Sequence, residues 1–169
     1  IKGYNFDLVV GKNALHFLRG FNVIFRSPSC LPTTLQLVSE QKRGALITSE
    51  IEMLMNLCPC KIIGVTGSDG KTTTTTLIYE ILKAGGYNCH LGGNIGKPLF
   101  TEVGSFKEDD IVVLELSSFQ LMGMEISPDI AVVTNVSPNH LDKHSSYQEY
   151  IDAKKVIFEY QDENGKVVL

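Results

Sequence analysis

Apolar residues fall along the chain in short continuous runs rather than in strict alternation. They are "DLVV" (Asp7 to Val10), "NVIF" (Asn22 to Phe25), "ALIT" (Ala45 to Thr48), "KIIGVT" (Lys61 to Thr66), "DIVVLEL" (Asp110 to Leu116), "DIAVVTNV" (Asp129 to Val136) and "KVVL" (Lys166 to Leu169). Runs of this kind, rich in β-branched residues, suit strands buried on both faces of a parallel sheet. Between them the spacing predicts helices over 34–43, 50–57, 71–84 and 146–160, the third stopping at Gly85-Gly86. Strands and helices alternating in this way predict an α/β architecture. The pattern pauses at Pro59 in "NLCPCK", which predicts a junction between two units, residues 1–59 and 60–169.

With 169 residues and 43% hydrophobic content the chain can bury a sizeable core. Its formal net charge of -4 argues against a general nucleic-acid or membrane-surface binder, so any anionic ligand must be met by local donors. No stretch approaches the roughly 20 apolar residues of a membrane span, and no signal pattern opens the chain, so a cytoplasmic protein is expected. Cys30, Cys58, Cys60 and Cys89 lack paired metal-ligand spacing, and Cys58-Pro59-Cys60 is one residue short of the common redox motif. Reduced thiols packed as small apolar groups are expected there. The chain starts at Ile1 without a methionine and stops on a strand-like "GKVVL", so a fragment of a longer protein is expected.

The richest chemistry lies in "IIGVTGSDGKTTTTTLIYEILKAGG", Ile62 to Gly86. A strand, a glycine-rich turn and Lys-Thr at a helix start form a phosphate cradle, because backbone N–H groups and the positive helix terminus face the anion. Lys71 can reach outer phosphates and the Thr72 hydroxyl can ligate Mg²⁺. The spacing departs from the common pattern: Val65 stands where a glycine would, and the glycines are Gly64, Gly67 and Gly70. On this loop alone kinases, GTPases and ligases all remain open.

Glu115 ends an apolar strand, where side chains of a parallel sheet emerge at its ligand-binding edge. A carboxylate there suits Mg²⁺, a hard cation that takes oxygen ligands, although a glutamate capping a nearby helix would read the same way. The next strand leads into "TNVSPNHLDKH", which puts Asn135, Asn139, His140, Asp142 and His144 in the following loop on the same edge; a lone loop histidine is usually solvated, and what lifts His140 is its place beyond a strand neighbouring that of Glu115. In "SSYQEYIDAKKVIFEY" a helix would align Tyr147, Tyr150, Ile151, Lys154, Ile157 and Phe158 on one face, with Lys155 pointing outward. A lysine in an apolar stripe either snorkels to water or has its charged form disfavoured, which makes a neutral amine accessible.

In order and spacing, "GVTGSDGKTTT", "GGNIG", "LELSSFQL", "NVSPNHLDKH" and "YIDAK" resemble the Mur ligase family, the "SSFQL" and "GNIG" pieces its D-glutamate-adding branch. The earlier "SPSCLP" and "SEIEM" resemble the end of that branch's N-terminal domain, with Ser29-Cys30 in place of the family's Gly-Ile, and those two carry no assigned role. The resemblance implies a P-loop-containing parallel sheet flanked by helices, the family's ATP-binding central domain in incomplete form over 60–169. Residues 1–59 would be the C-terminal part of a Rossmann-like, UDP-binding N-terminal domain, and the C-terminal domain would be absent.

The implied reaction joins UDP-N-acetylmuramoyl-L-alanine to D-glutamate with ATP, through an acyl phosphate. Carried over position by position, Gly67, Ser68, Asp69, Gly70, Lys71, Thr72, Thr73 and Thr74 form the ATP loop, with Lys71 on the transferred phosphate. Thr72 and Glu115 hold Mg²⁺, and Asn94 and Ser117 contact the muramoyl substrate. His140 ligates a second Mg²⁺ and Lys154 carries a carbamate supporting that metal, so Lys71, His140 and Lys154 are the expected catalytic residues. A monomer without nucleic-acid or membrane partners is expected. Three rivals stand beside this reading: a nucleotide-binding module without turnover, another Mur or folylpolyglutamate-type ligase, and a small-molecule kinase, which would not need His140 or Lys154.

Overall fold

The computed structural model describes residues 5–138 and 144–169. In chain order the elements are β1 (Val23–Phe25), α1 (Leu35–Lys42), β2 (Leu46–Thr48), α2 (Glu50–Leu57), β3 (Lys61–Thr66), α3 (Lys71–Ala84), β4 (Cys89–Gly93), β5 (Ile111–Glu115), α4 (Ser118–Leu121), β6 (Ile130–Val133), α5 (Tyr147–Glu159) and β7 (Lys166–Val168). Short 3₁₀ turns occupy Ala14–Leu18 and Phe100–Ser105.

The β-branched runs form one parallel sheet in the order β4-β5-β3-β6-β7, and β1 and β2 pair in a separate parallel ribbon. The middle of the large sheet is buried on both faces, as continuous apolar runs require: Val65, Val112, Val113, Leu114 and Ala131 are fully buried. β3 is central, with β5 on one side and β6 on the other, so the chain changes direction across it. Ligands of open α/β sheets bind at the carboxyl ends of strands at such a point. The loops after β3, β5 and β6 converge there.

Local sequence explains the helices that frame this edge. Ser49 caps α2 by accepting from Glu52 N at 3.1 Å, with Glu50 and Glu52 in the first turn where the helix dipole favours acids. Ser146 caps α5 in the same way through Glu149 N. α3 stops at Gly85 and Gly86 as expected, Gly86 taking φ 90°. Ile51, Leu54 and Met55 of α2 join the core built on the large sheet, together with Ile62, Leu99, Leu116 and Ile157. A smaller core of Ile24, Leu37 and Ala45 supports the β1–β2 ribbon. Arg26 ties the two together by donating to Met122 O and Cys30 O.

Two expectations need correction, and two elements were not expected. "DLVV" (7–10) is not a strand: its residues are exposed and lie beside no described strand, and an apolar run without a pairing partner has no ladder to join. The strand expected over 129–136 ends at Val133, because Thr134 and Asn135 turn their side chains onto the loop after β3. β4, "CHLGG", and α4 went unpredicted, the first because two glycines weaken its strand pattern, the second because it is only one turn long. Among the described residues, no helix is long and apolar enough to cross a membrane.

Candidate phosphate and metal site

β3 ends in Thr66, and Gly67-Ser68-Asp69-Gly70 then turns the chain into α3. Gly67 and Gly70 have φ 152° and 77°, and a methyl at Gly67 would overlap Thr134 Oγ1. Ser68 N donates to Asn135 O and Asp69 N to Asn135 Oδ1, both at 3.0 Å, while Thr134 Oγ1 and Asn135 Nδ2 donate to Asp69 O. The loop after β6 therefore clamps the loop after β3. Thr74 N makes the first helical bond, to Gly70 O at 3.0 Å, so the amides of Lys71, Thr72 and Thr73 precede the ladder. Amides without a partner among the described residues, at the positive end of a 14-residue helix, make an anion seat.

Three ionisable groups meet at this seat. Lys71 Nζ donates back to Gly67 O and Ser68 O, each at 3.0 Å. The Glu115 side chain is 1% exposed; its Oε2 accepts from Thr72 Oγ1 at 2.7 Å and its Oε1 from Asn94 Nδ2 at 2.9 Å. Among the described residues it has no ion-pair partner, so a buried carboxylate stands beside a hydroxyl with no cation to balance it. Lys154, on α5, is 3% exposed and donates to Gly67 O at 2.8 Å and Thr66 Oγ1 at 3.3 Å. Burial, and then the charge of Lys71, brings its pKa down from 10.5 to about 8. The periodicity is borne out: Tyr150, Lys154 and Ile157 are buried on one face of α5, while Lys155 is half exposed.

A cleft of about 670 Å³ opens over these groups, lined by Gly67, Lys71, Asn94, Ser117, Tyr150 and Lys154 among others. Pro28, Ser29 and Leu31 complete its wall from the segment after β1, so Ser29 borders the site. Ser117 caps α4 in a reciprocal box with Gln120, its Oγ donating to Gln120 Oε1 and accepting from Gln120 N. Asn94 follows Gly93, whose φ of 94° and close approach to the Glu115 backbone leave no room for a side chain, and Asn94 N donates to Glu115 O at 2.8 Å. His140 lies outside the described residues.

Tyr150 was not anticipated as part of the site. Its hydroxyl meets Ser68 Oγ at 2.9 Å and its ring lies 4.7 Å under Lys154 Nζ. The Ser68 hydroxyl also exchanges bonds with Ser137, so it braces the loop from beneath. The available signal was the position of Tyr150 one helical turn before Lys154 on the same stripe. His144 packs between Phe119 and Tyr150, with Nε2 2.9 Å from Ser118 Oγ, and so seats α5 against α4.

Fold and site define an α/β protein with a phosphate-type loop at the switch point of a parallel sheet. The chain belongs to the Mur ligase family: the Mur ligase middle domain model matches residues 65–169. It is 55% identical over 163 residues to UDP-N-acetylmuramoylalanine--D-glutamate ligase of Clostridium botulinum strain Hall, covering 96% of this chain and 36% of that protein. The enzyme of the same name from Clostridium kluyveri strain ATCC 8527 is 56% identical over 169 residues, covering 100% of this chain and 37% of that one. This chain therefore spans little more than a third of these relatives. Among solved structures, MurF ligase from Thermotoga maritima in complex with ADP superposes with a TM-score of 0.53 at 23% identity, covering 77% of this chain and 38% of that one. MurF from Acinetobacter baumannii gives 0.51 at 18% identity, with 73% and 31% covered. At these identities the likeness speaks for the fold.

Proposed function

We propose that, in the complete protein, this chain supplies the ATP- and Mg²⁺-holding part of a ligase that joins D-glutamate to UDP-N-acetylmuramoyl-L-alanine. The observation that carries this reading is the buried Glu115 carboxylate, hydrogen-bonded to Thr72 at the mouth of the phosphate-type loop and without an ion-pair partner among the described residues. The names of the relatives supply the amino acid and the acceptor. On this reading residues 60–169 are the incomplete ATP-binding domain and 1–59 the end of the UDP-binding domain, with α2 packed as the bridge between them.

The donor set fits a hard divalent cation: a hydroxyl and a carboxylate oxygen 2.7 Å apart, both held by fixed backbone. Thr72 and Glu115 would hold one Mg²⁺, and His140 with a carbamylated Lys154 a second. Bound there, Mg²⁺ supplies the positive charge that lets two anionic reactants meet. Lys71 and the α3 amides seat the phosphates and neutralise the charge that builds on the transferred one. The muramoyl-alanine carboxylate, positioned by Asn94 and Ser117, attacks the γ-phosphorus and ADP leaves. The D-glutamate amine then attacks the acyl carbon and phosphate departs.

Lys154 serves as an amine before it serves as an anion. With a pKa of about 8, roughly a tenth of it is neutral at pH 7, and only a neutral amine adds CO₂ to give a carbamate and a proton. The Gly67 carbonyl that now accepts from Nζ keeps the amine at the cleft wall. Asn94, already bonded to Glu115, has a second task in aiming that carboxylate.

The chain by itself is proposed to bind nucleotide without turning over, and the complete protein to act as a cytoplasmic monomer. Phosphate release tests the reading in the complete protein given ATP, Mg²⁺ and UDP-N-acetylmuramoyl-L-alanine. D-glutamate should support release where L-lysine and diaminopimelate do not. Equal release with those amines, or none with D-glutamate, would refute it.

A further inference from the structure

We infer that Cys58 and Cys60 form a two-cysteine oxidation site, a dithiol that peroxide converts to an intramolecular disulfide, at the end of the sheet opposite the phosphate loop. The two sulfurs are in contact, Sγ to Sγ 3.4 Å, and the Cys58 thiol also lies 3.6 Å from Cys60 O. The chain between them is stiff. Pro59 fixes its own φ and holds the residue before it extended, and Cys58 sits at φ -67°, ψ 121° as the C-cap of α2. Cys60 leads directly into β3, so the pair is anchored at both ends by regular structure.

The two thiols are not equivalent. Cys60 is 8% exposed, and burial followed by its hydrogen bond to Cys58 pushes its thiol up to about 12, so it keeps its proton. Cys58 is half-buried, and both line a cleft of about 680 Å³ at the amino ends of β3, β6 and β7. A small oxidant entering that cleft meets Cys58 as the open sulfur, with Cys60 poised behind it. Cys30 and Cys89 have no sulfur partner of this kind among the described residues.

The chemistry balances with hydrogen peroxide as the oxidant. The Cys58 thiolate attacks one peroxide oxygen, giving the sulfenic acid and hydroxide, which the thiol's released proton converts to water. The Cys60 sulfur then attacks the sulfenic sulfur while its thiol proton passes to the departing hydroxyl, so the S–S bond forms and a second water leaves. The thiols lose two electrons and the peroxide gains them. The disulfide closes a ring over only three residues; tight bridges of this sort are the readily reduced ones, so a thiol pool would reset it.

Both cysteines fall in one tryptic peptide, residues 44–61. The complete native protein, exposed to limiting hydrogen peroxide, then denatured, blocked with iodoacetamide and digested, should yield that peptide two hydrogens lighter and unalkylated. Dithiothreitol given before the block should restore two alkylation sites. Cys30 and Cys89 should remain alkylated throughout. Cys60→Ser should strand Cys58 as a sulfenic acid that dimedone traps, and Cys58→Ser should leave Cys60 a thiol. Double alkylation of the peptide while Cys30 or Cys89 is oxidised would overturn the inference in the unmutated protein, whatever the variants do.

Discussion

Two buried charged clusters lie at opposite ends of the same sheet. At the amino end, Asp110 accepts from Asn88 Nδ2 at 2.7 Å and Lys107 N at 3.1 Å and pairs with His90 Nε2 at 2.8 Å, while the His90 ring stacks on Phe106. These contacts, His90 first, hold its carboxyl at about 2. At the carboxyl end, Glu115 is buried without a cation among the described residues, and Lys154 is driven toward its neutral form. The first cluster is complete as it stands. The second has no such closed set among the described residues, and under the proposed function a polyphosphate with a hard cation would complete it.

Lys71→Ala should open the widest gap between the two ends. One charge-assisted donor in a water-poor site is worth about 3 kcal/mol, so turnover in the complete protein should fall at least about a hundredfold. Near-normal turnover would take Lys71 off the transferred phosphate. Lys154 comes next, measured as stability without nucleotide or bicarbonate. Unfolded lysine titrates near 10.5 and the folded group near 8, so across that window the unfolded state holds a proton the folded state has released, and stability rises with pH. Below about 8 the full penalty is present, on the order of 3 kcal/mol. Lys154→Met should therefore be more stable to urea at pH 7, and its advantage should shrink between pH 8 and 10.5.

Asn94→Ala removes one hydrogen bond to the Glu115 carboxylate, worth about 1.5 kcal/mol, so without nucleotide the melting temperature should fall by roughly a few degrees, and the Mg²⁺ needed for half-maximal turnover should rise. At the amino end the expectation reverses. The stability contributed by Asp110 is present above its unfolded pKa of 3.8 and is lost as pH falls toward 2. Asp110→Asn should flatten acid unfolding over that window, followed by circular dichroism, and leave nucleotide affinity unchanged. A change in affinity would show that the two ends are coupled.

Much of this was legible from sequence for identifiable reasons. β3, α2 and α3 fall where the pattern put them, because continuous β-branched runs and glycine stops are local signals. The meeting of Thr72 with Glu115 was implied by strand ends that share an edge, and the burial of Lys154 by its stripe. "DLVV" misled because an apolar run says nothing about whether a partner strand exists. β4 escaped because its glycines, one of them demanded by the approach of Glu115, carry no strand signal. The clamp of Thr134 and Asn135 on Asp69, and the Tyr150 brace beneath Ser68, are contacts between residues more than 60 positions apart, beyond the reach of periodicity.

Under the proposed function, Glu115 waits for a cation brought with the nucleotide. Calorimetric titration of the complete protein with ATP, with and without Mg²⁺, tests it most directly when repeated on Glu115→Gln, whose amide keeps the shape but is the weaker ligand. Mg²⁺ should tighten ATP binding in the unmutated protein, and that gain should largely vanish in the variant while metal-free binding is retained. An equal Mg²⁺ gain in both proteins would show that Glu115 holds no cation and serves a structural role.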